Sequence, residues 1–389
     1  PEGEDFKKFY PLSLMETGSD ILYPWVSRMI MMGLYVIGEV PFRAVYLHGL
    51  VLDEHGQKMS KSKGNVIAPM QKVDQYGSDA FRMGIITGQT PGSNQPFTES
   101  KLVAARNFCN KLWNIARFIE DKIGDDFKGK DSPSPKTQAD HWILTKLQHL
   151  SEAVAADLED YRFAEAYEKV YHTVWNDLAD WYIESSKSSY NNDMLAYCLE
   201  TVLKIIHPFA PFVTETIWQT LSQEDGTMLA TTTWPKITAG NSAQAKEFEK
   251  IKAIVSEIRH LSTALRLKKP NLYFVSAPFV EKHSALIKQL ANLTNISAVE
   301  DGFGLRLTQT AETVWLDVDK NTIDQHMKSV KNNTERELQR IKQLEARLSN
   351  KSYVKNAPGE VVSETKEQLR GAKELLAKLE AEYKRFAGQ

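Results

Sequence analysis

Near the end of the chain, Ile323, Met327, Val330, Thr334, Leu338, Ile341, Leu344 and Leu348 recur at spacings of three and four. Val362, Thr365, Leu369, Ala372, Leu376, Leu379, Tyr383 and Phe386 do the same. Each seam covers about 2/7 of a helix surface, which is too narrow for a broad core but fits a single partner helix. One turn at Pro358-Gly359 separates the two runs. Residues 320–389 are therefore expected to fold as an antiparallel coiled-coil hairpin.

Upstream the pattern changes. From Ser100 to about Pro235, apolar residues follow broader helical stripes, such as Phe108, Leu112, Ile115 and Ile119, or Trp142, Leu147, Leu150 and Val154. Further helices are expected over Phe163–Tyr190, Met194–Ile206 and Val213–Leu221, with a break at His207-Pro208-Phe209-Ala210-Pro211. Amphipathic helices with short breaks predict a helix bundle. The segment Gly124–Ser134, rich in Asp, Lys, Gly and Pro, is the loosest connection. Residues 237–319 alternate helical stretches with short β-branched runs, and a small α/β module is expected there.

Residues 1–95 also read as α/β. Leu12–Thr17 suits a strand, and Ile21–Leu34 a helix that Ser19 or Asp20 is placed to cap. Val45–Val51 suits a buried strand. It feeds the Asp53-Glu54-His55-Gly56 turn, a position at which open α/β sheets bind ligands. Gly77 is a C-cap candidate, and Asp79 opens the next helix.

That turn leads into Lys58-Met59-Ser60-Lys61-Ser62-Lys63-Gly64-Asn65, with three lysines and two hydroxyls within six residues. Clustered cations and hydroxyls on a loop flanked by glycine suit a polyphosphate. A solvated basic turn has the same composition.

The wider balance gives no global nucleic-acid signal, because the net charge is −2. Residues 320–389 carry 15 Lys and Arg against 10 Asp and Glu, a balance of +5, while the rest carries 33 against 40, a balance of −7. The hairpin is thus the basic end. Cys109 and Cys198 are too few and too far apart for a disulfide framework or a CxxC zinc site, which points to a reducing, cytoplasmic setting. No apolar run nears the ~20 residues needed to span a bilayer, so no membrane association is expected. The opening Pro1-Glu2-Gly3-Glu4-Asp5 reads as an interior start, as in a fragment of a longer protein.

The string KMSKS followed by Lys63-Gly64-Asn65 matches the second signature of class I aminoacyl-tRNA synthetases. Gly18-Ser19-Asp20-Ile21-Leu22-Tyr23-Pro24-Trp25, His48-Gly49-Leu50-Val51, Tyr76–Arg82 and Arg106–Asn114 extend the match. Together these segments resemble the valyl-tRNA synthetases. The isoleucyl and leucyl enzymes are the nearest rivals. The Asp20-Ile21 pair, Trp25 and the terminal hairpin favour the valyl branch.

The resemblance implies a multidomain α+β fold. Its parts are the C-terminal half of a Rossmann-like catalytic domain (1–95), an anticodon-binding bundle (96–236), a small α/β junction module (237–319) and a tRNA-binding arm (320–389). It implies ATP-dependent activation of valine and transfer to tRNA(Val), with ATP taken up with Mg2+, no tightly bound metal and a monomer. Lys61 and Lys58 would be catalytic. Lys58, Met59, Ser60, Lys61, Ser62, Asp20 and His48 would contact ATP, and Trp25 with Asp20 would line the amino-acid pocket. Arg106, Asn110, Lys111 and Asn114 would face tRNA.

Each residue has a plainer reading: Asp20 as a helix cap, Trp25 and Trp113 as core, His48 as a packed histidine, and the Arg106–Asn114 face as solvated surface. Asp79 and Arg82 also match the family, but a cap and a surface pair account for them. The HIGH signature, which binds the nucleotide from the other half of the sheet, does not occur in the sequence, nor does the editing domain. The expectation is that the chain alone does not activate valine. A non-catalytic tRNA-binding module is the alternative from a different class.

Overall fold

The computed structural model describes residues 3–124, 132–221, 227–308, 310–350, 353 and 359–387. Two compact units are present, Pro1–Phe248 and Glu249–Gln389.

The first unit opens with helix α1 (Glu4–Phe9) and strand β1 (Leu12–Gly18). The capped helix expected from Ile21 does not form. Ser19–Ile21 is a tight 3-10 turn, Leu22–Val26 is a π-wound turn, and α2 is confined to Ser27–Val36. Pro24 has no N–H and cannot join a regular α ladder, so the chain widens there before helix α2 starts. No side chain caps these turns. Strand β2 (Phe42–His48) pairs with β1 in parallel, which sets Gly18 opposite His48 at the carboxyl ends. No residue of α2 is buried, and Met31, Met32, Tyr35 and Val36 stand exposed.

Strand β3 (Val51–Leu52) leads into the lysine loop and pairs in parallel with β4 (Gln95–Pro96). The segment before β4 crosses tightly over Gly49, where an added Cβ would lie 1.7 Å from the Ser93 carbonyl oxygen. Helices α3 (Pro69–Tyr76) and α4 (Ser78–Ile86) come after the loop. They meet at Gly77, whose φ of 93° is a conformation that favours glycine.

The bundle comprises α5 (Glu99–Ile123), α6 (Gln138–Glu159), α7 (Phe163–His172), a π-wound continuation over Thr173–Ile183, α8 (Glu184–Ser186), α9 (Asn192–Ile206) and α10 (Pro211–Leu221). Its core draws on the predicted stripes: Phe108, Leu112, Ile119, Trp142, Leu147, Val154, Leu178 and Val202 are all buried. Carboxylates lie among them too, Asp140 and Asp157. Asp140 accepts from the Lys136 and Thr137 amides at 2.8 and 3.1 Å, from Tyr182 Oη at 2.9 Å and from Asn191 Nδ2 at 3.0 Å. Donors on every side offset the desolvation of this buried charge.

Helix α4 is tied to the bundle by the two residues read as a cap and a surface pair. Asp79 is buried, and its carboxylate accepts from the Phe212 and Val213 amides at 3.2 and 2.7 Å. It therefore serves the open N-terminus of α10 rather than its own helix. Arg82 donates to the Pro208 carbonyl at 3.0 Å instead of pairing on the surface.

Helix α11 (Ser242–Ala264) runs from the first unit into the second. The second unit contains a four-stranded sheet in the order β6-β5-β8-β7, from β5 (Leu272–Phe274), β6 (Ile296–Ala298), β7 (Leu305–Arg306) and β8 (Val314–Leu316). Helices α12 (Pro278–Lys282) and α13 (Ser284–Leu290) lie between β5 and β6 in sequence. Two long helices end the chain, α14 (Lys320–Ser349) and α15 (Gly359–Ala387). Lys373 pairs with Glu345 at 2.7 Å and the Phe386 ring lies 4.9 Å from His326, so the helices run antiparallel. Pro358 of the predicted turn, and residues 125–131 of the predicted connection, lie outside the described residues.

One seam position differs from the expectation. A regular alternation after Thr334 reaches Glu337 before Ile341, and Glu337 is the half-buried residue while Leu338 is exposed. No helix among the described residues is long and apolar enough to cross a membrane.

Candidate nucleotide and RNA sites

The lysine loop is closed by side chains at its two ends. Asp53 Oδ1 accepts from the His55 and Gln57 amides at 3.1 and 2.7 Å, which forms the turn predicted there. Asn65 lies beyond Gly64 (φ 69°) and turns back. Its Nδ2 donates to Asp53 Oδ2 at 2.8 Å, and its Oδ1 accepts from the Ser60 amide at 2.9 Å. Hydrogen bonds from Asn65, and then from the Gln57 amide, hold the Asp53 carboxyl below the usual carboxylate range. Lys61–Lys63 forms a single 3-10 turn between these anchors.

Three residues expected at the nucleotide converge around Gly18. Lys58 Nζ lies 3.0 Å from Asp20 Oδ2, and that contact is the main cause holding the Asp20 carboxyl below its ordinary value. A Cβ placed on Gly18 would lie 2.8 Å from Asp20 Oδ1 and 3.6 Å from His48 Cε1, so the carboxylate and the imidazole flank the same glycine. His48 is only part-buried, with Nε2 at 3.5 Å from Glu16 Oε1. Asp20 thus faces Lys58 rather than capping a helix.

Lys61 and Ser62 are exposed, and the Lys61 ammonium makes no hydrogen bond or ion pair among the described residues, although the Lys61 carbonyl accepts from the Gly64 amide at 3.2 Å. Ser60 Oγ lies 3.2 Å from Ser62 Oγ, leaving two hydroxyls side by side. The Ser60 amide is already donated to Asn65, so Ser60 offers a ligand its hydroxyl rather than its N–H. Met59 is part-buried. Trp25 is 54% exposed and lies five residues beyond Asp20, on the π-wound turn.

The face expected to meet RNA is divided. Arg106, Asn110 and Asn114 are exposed on α5, and the Arg106 guanidinium lies 5.6 Å from the Tyr76 ring centroid. Lys111 points elsewhere, to Asp180 Oδ1 at 2.9 Å and over the Trp175 ring at 5.0 Å. Trp113, for which the sequence leaves both core and surface open, is exposed. The signal for Asn65 and Asp53 was present in the sequence, as polar residues flanking the glycines, but their mutual contact was not.

Comparison with known proteins matches this arrangement segment by segment. Residues 1–96 match the family of class I tRNA synthetases (I, L, M and V). Residues 140–273 match the anticodon-binding domain of tRNA ligase, and residues 324–387 the valyl tRNA synthetase tRNA binding arm. Valine–tRNA ligases of Geobacillus stearothermophilus and Thermotoga maritima are each 34% identical, over 93% and 98% of this chain. That of Bacillus subtilis is 32% identical over 99%. The chain spans 44–46% of the length of these relatives.

Among solved structures, the LeuRS–tRNA–LeuAMS complex of Agrobacterium radiobacter K84 superposes over 69% of this chain and 32% of its own, with a TM-score of 0.52 and 22% identity. The Mycobacterium tuberculosis methionyl-tRNA synthetase does so over 62% and 50%, with a TM-score of 0.50 and 20% identity. These likenesses share a fold with the chain. With the three family matches distributed along its length and relatives aligned over nearly all of it, the chain belongs to the class I aminoacyl-tRNA synthetases, in the valine–tRNA ligase family.

Proposed function

We propose that the chain is the part of a valine–tRNA ligase that supplies the phosphate-binding loop and the tRNA-binding domains. Its four parts would be the second half of the catalytic domain (1–95), the anticodon-binding bundle (96–236), a junction module (237–319) and the tRNA-binding arm (320–389). The reaction joins valine to ATP, taken as its Mg2+ complex, releasing pyrophosphate, and then passes the acyl group from adenylate to tRNA(Val).

Negative charge grows between the α- and β-phosphates as their bond breaks. A cation placed there lowers the barrier more than equal binding of ATP would. Lys61, exposed and unpaired among the described residues, suits that role. Lys58 would steady the phosphates, with Met59, Ser60 and Ser62 beside it. Asp20 and His48 would contact the nucleotide, and Trp25 with Asp20 would border the valine pocket. An exposed indole face suits a small β-branched side chain, because it limits volume and excludes water. The reading places the enzyme in the cytoplasm as a monomer.

The observation that carries this reading is the approach of Lys58 to Asp20, which joins two family motifs far apart in sequence at one point. The uncovered apolar residues of α2 also support it, since half of a sheet domain leaves the other half's packing surface open. The sequence contains no HIGH string, so the chain alone is expected to bind tRNA(Val) without supporting valine-dependent ATP–pyrophosphate exchange. Exchange by the isolated chain would refute the division of the site. Failure to bind tRNA(Val) would refute the RNA role.

A further inference from the structure

A pocket of about 270 Å³ opens in the first unit, and none of its walls belongs to the sites described above. One wall comes from residues 236–241, which lie so close to α6 that a Cβ added to Gly240 would come 2.0 Å from the His141 carbonyl oxygen. The Asn241 amide donates to His141 Nδ1 at 3.1 Å. An amide N–H can only donate, so the ring proton sits on Nε2, which has no hydrogen bond among the described residues. The Lys236 ammonium and the Ser132 and Thr238 hydroxyls also line the pocket without partners among the described residues. No Asp or Glu lines it. Buried Pro133 and Leu144, with the half-buried Tyr197, supply its apolar side.

We infer that this pocket binds a small organic phosphate. Lys236, His141 Nε2–H and the two hydroxyls hold the phosphate, and Pro133, Leu144 and Tyr197 pack against the organic body. The lining selects this class. Four donors with no carboxylate among them favour an anion, and the three terminal oxygens of a phosphate accept from donors on separate segments. A bare ion would leave most of the volume wet, since a water molecule claims only ~30 Å³, whereas pockets for small organic ligands begin near ~300 Å³. The site shares no residue with the lysine loop and stands apart from adenylation. A free nucleotide and a nucleotide within RNA present the same phosphate, and the test separates them.

The test titrates the whole chain with AMP and follows the His141 Cε1–H resonance, identified by its absence from the His141→Phe variant. That signal reports on this pocket rather than on the lysine loop. A saturable shift is expected. Adenosine, which lacks the phosphate, is expected to bind at least about tenfold more weakly, the worth of one charge-assisted hydrogen bond. Lys236→Ala is expected to raise the Kd for AMP about tenfold for the same reason. A thermal midpoint equal to the wild type excludes unfolding as the cause. No saturable shift at His141, equal affinity for AMP and adenosine, or wild-type affinity in Lys236→Ala would each overturn the phosphate site. Inorganic phosphate bound as tightly as AMP would overturn the contact with an organic body. With tRNA(Val) added, displacement of AMP assigns the pocket to a nucleotide of RNA, and retention of AMP assigns it to a free ligand.

Discussion

Asn65 Nδ2 donates to Asp53 Oδ2 at 2.8 Å while Asn65 Oδ1 accepts from the Ser60 amide at 2.9 Å. One amide side chain thus joins the entrance of the lysine loop to its middle and fixes the backbone from which Lys61 projects. If this contact sets the position of Lys61, its loss should reduce rate more than nucleotide affinity. In the complete ligase that contains this chain, Asn65→Ala and Asp53→Ala are each expected to lower kcat for ATP–pyrophosphate exchange about tenfold. The double variant should be no more than about twofold worse than either single one, because both remove the same contact. Fully multiplicative losses would show that the two residues act separately.

A buried charge in the bundle gives a pH signature. Burial alone would push the Asp157 carboxyl up, but hydrogen bonds from Lys169 and Arg162 outweigh it and hold the group below its usual range. Arg162 reaches Asp157 Oδ1 through Nη2 at 2.8 Å and Nε at 3.0 Å. A carboxyl lowered in the folded state stabilises the fold fully above its unfolded value near ~3.9, and this is lost as pH falls through the lower folded value. Asp157→Asn is therefore expected to lower the thermal midpoint of the first unit by about 3 °C at neutral pH. The gap should close as pH falls through that lower folded value. A gap independent of pH would mean that the side chain acts through packing instead.

The hairpin seam contains a position open to improvement. Glu337 Oε2 is buried without a hydrogen-bond partner among the described residues, and Arg340 Nη1 approaches its other oxygen only to 3.7 Å. Leu338 stands exposed beside it. Replacing a poorly paired buried carboxylate with an apolar group removes a desolvation cost. Glu337→Leu is expected to raise the opening free energy of α14 and α15 amides by ~1 kcal/mol in native-state hydrogen exchange. Lower protection would show that the Arg340 contact outweighs the desolvation.

Much of this architecture was legible because its signals are local. Helical stripes around Phe108, Trp142 and Leu344 depend on neighbours three and four residues away, and the structure buries all three. The lysine loop was recognisable as a string. Contacts between distant residues were not. Asp79 pairs with amides at Phe212 and Val213, and Lys58 pairs with Asp20, through folding that no local spacing encodes. Trp113 was ambiguous because an aromatic beside a core stripe can turn either way, and only the completed bundle sets its exposure. Leu338 misled because a leucine looks like a seam residue even where the repeat passes through Glu337.

Stabilisation of charge on the breaking phosphate bond by Lys61 is tested most directly by valine-dependent ATP–pyrophosphate exchange in the complete ligase. Lys61→Ala is expected to lower kcat by roughly a hundredfold or more, as removal of a preorganised charge-stabilising group does, with little change in the KM for valine. An exchange rate equal to the wild type would contradict the assignment of Lys61.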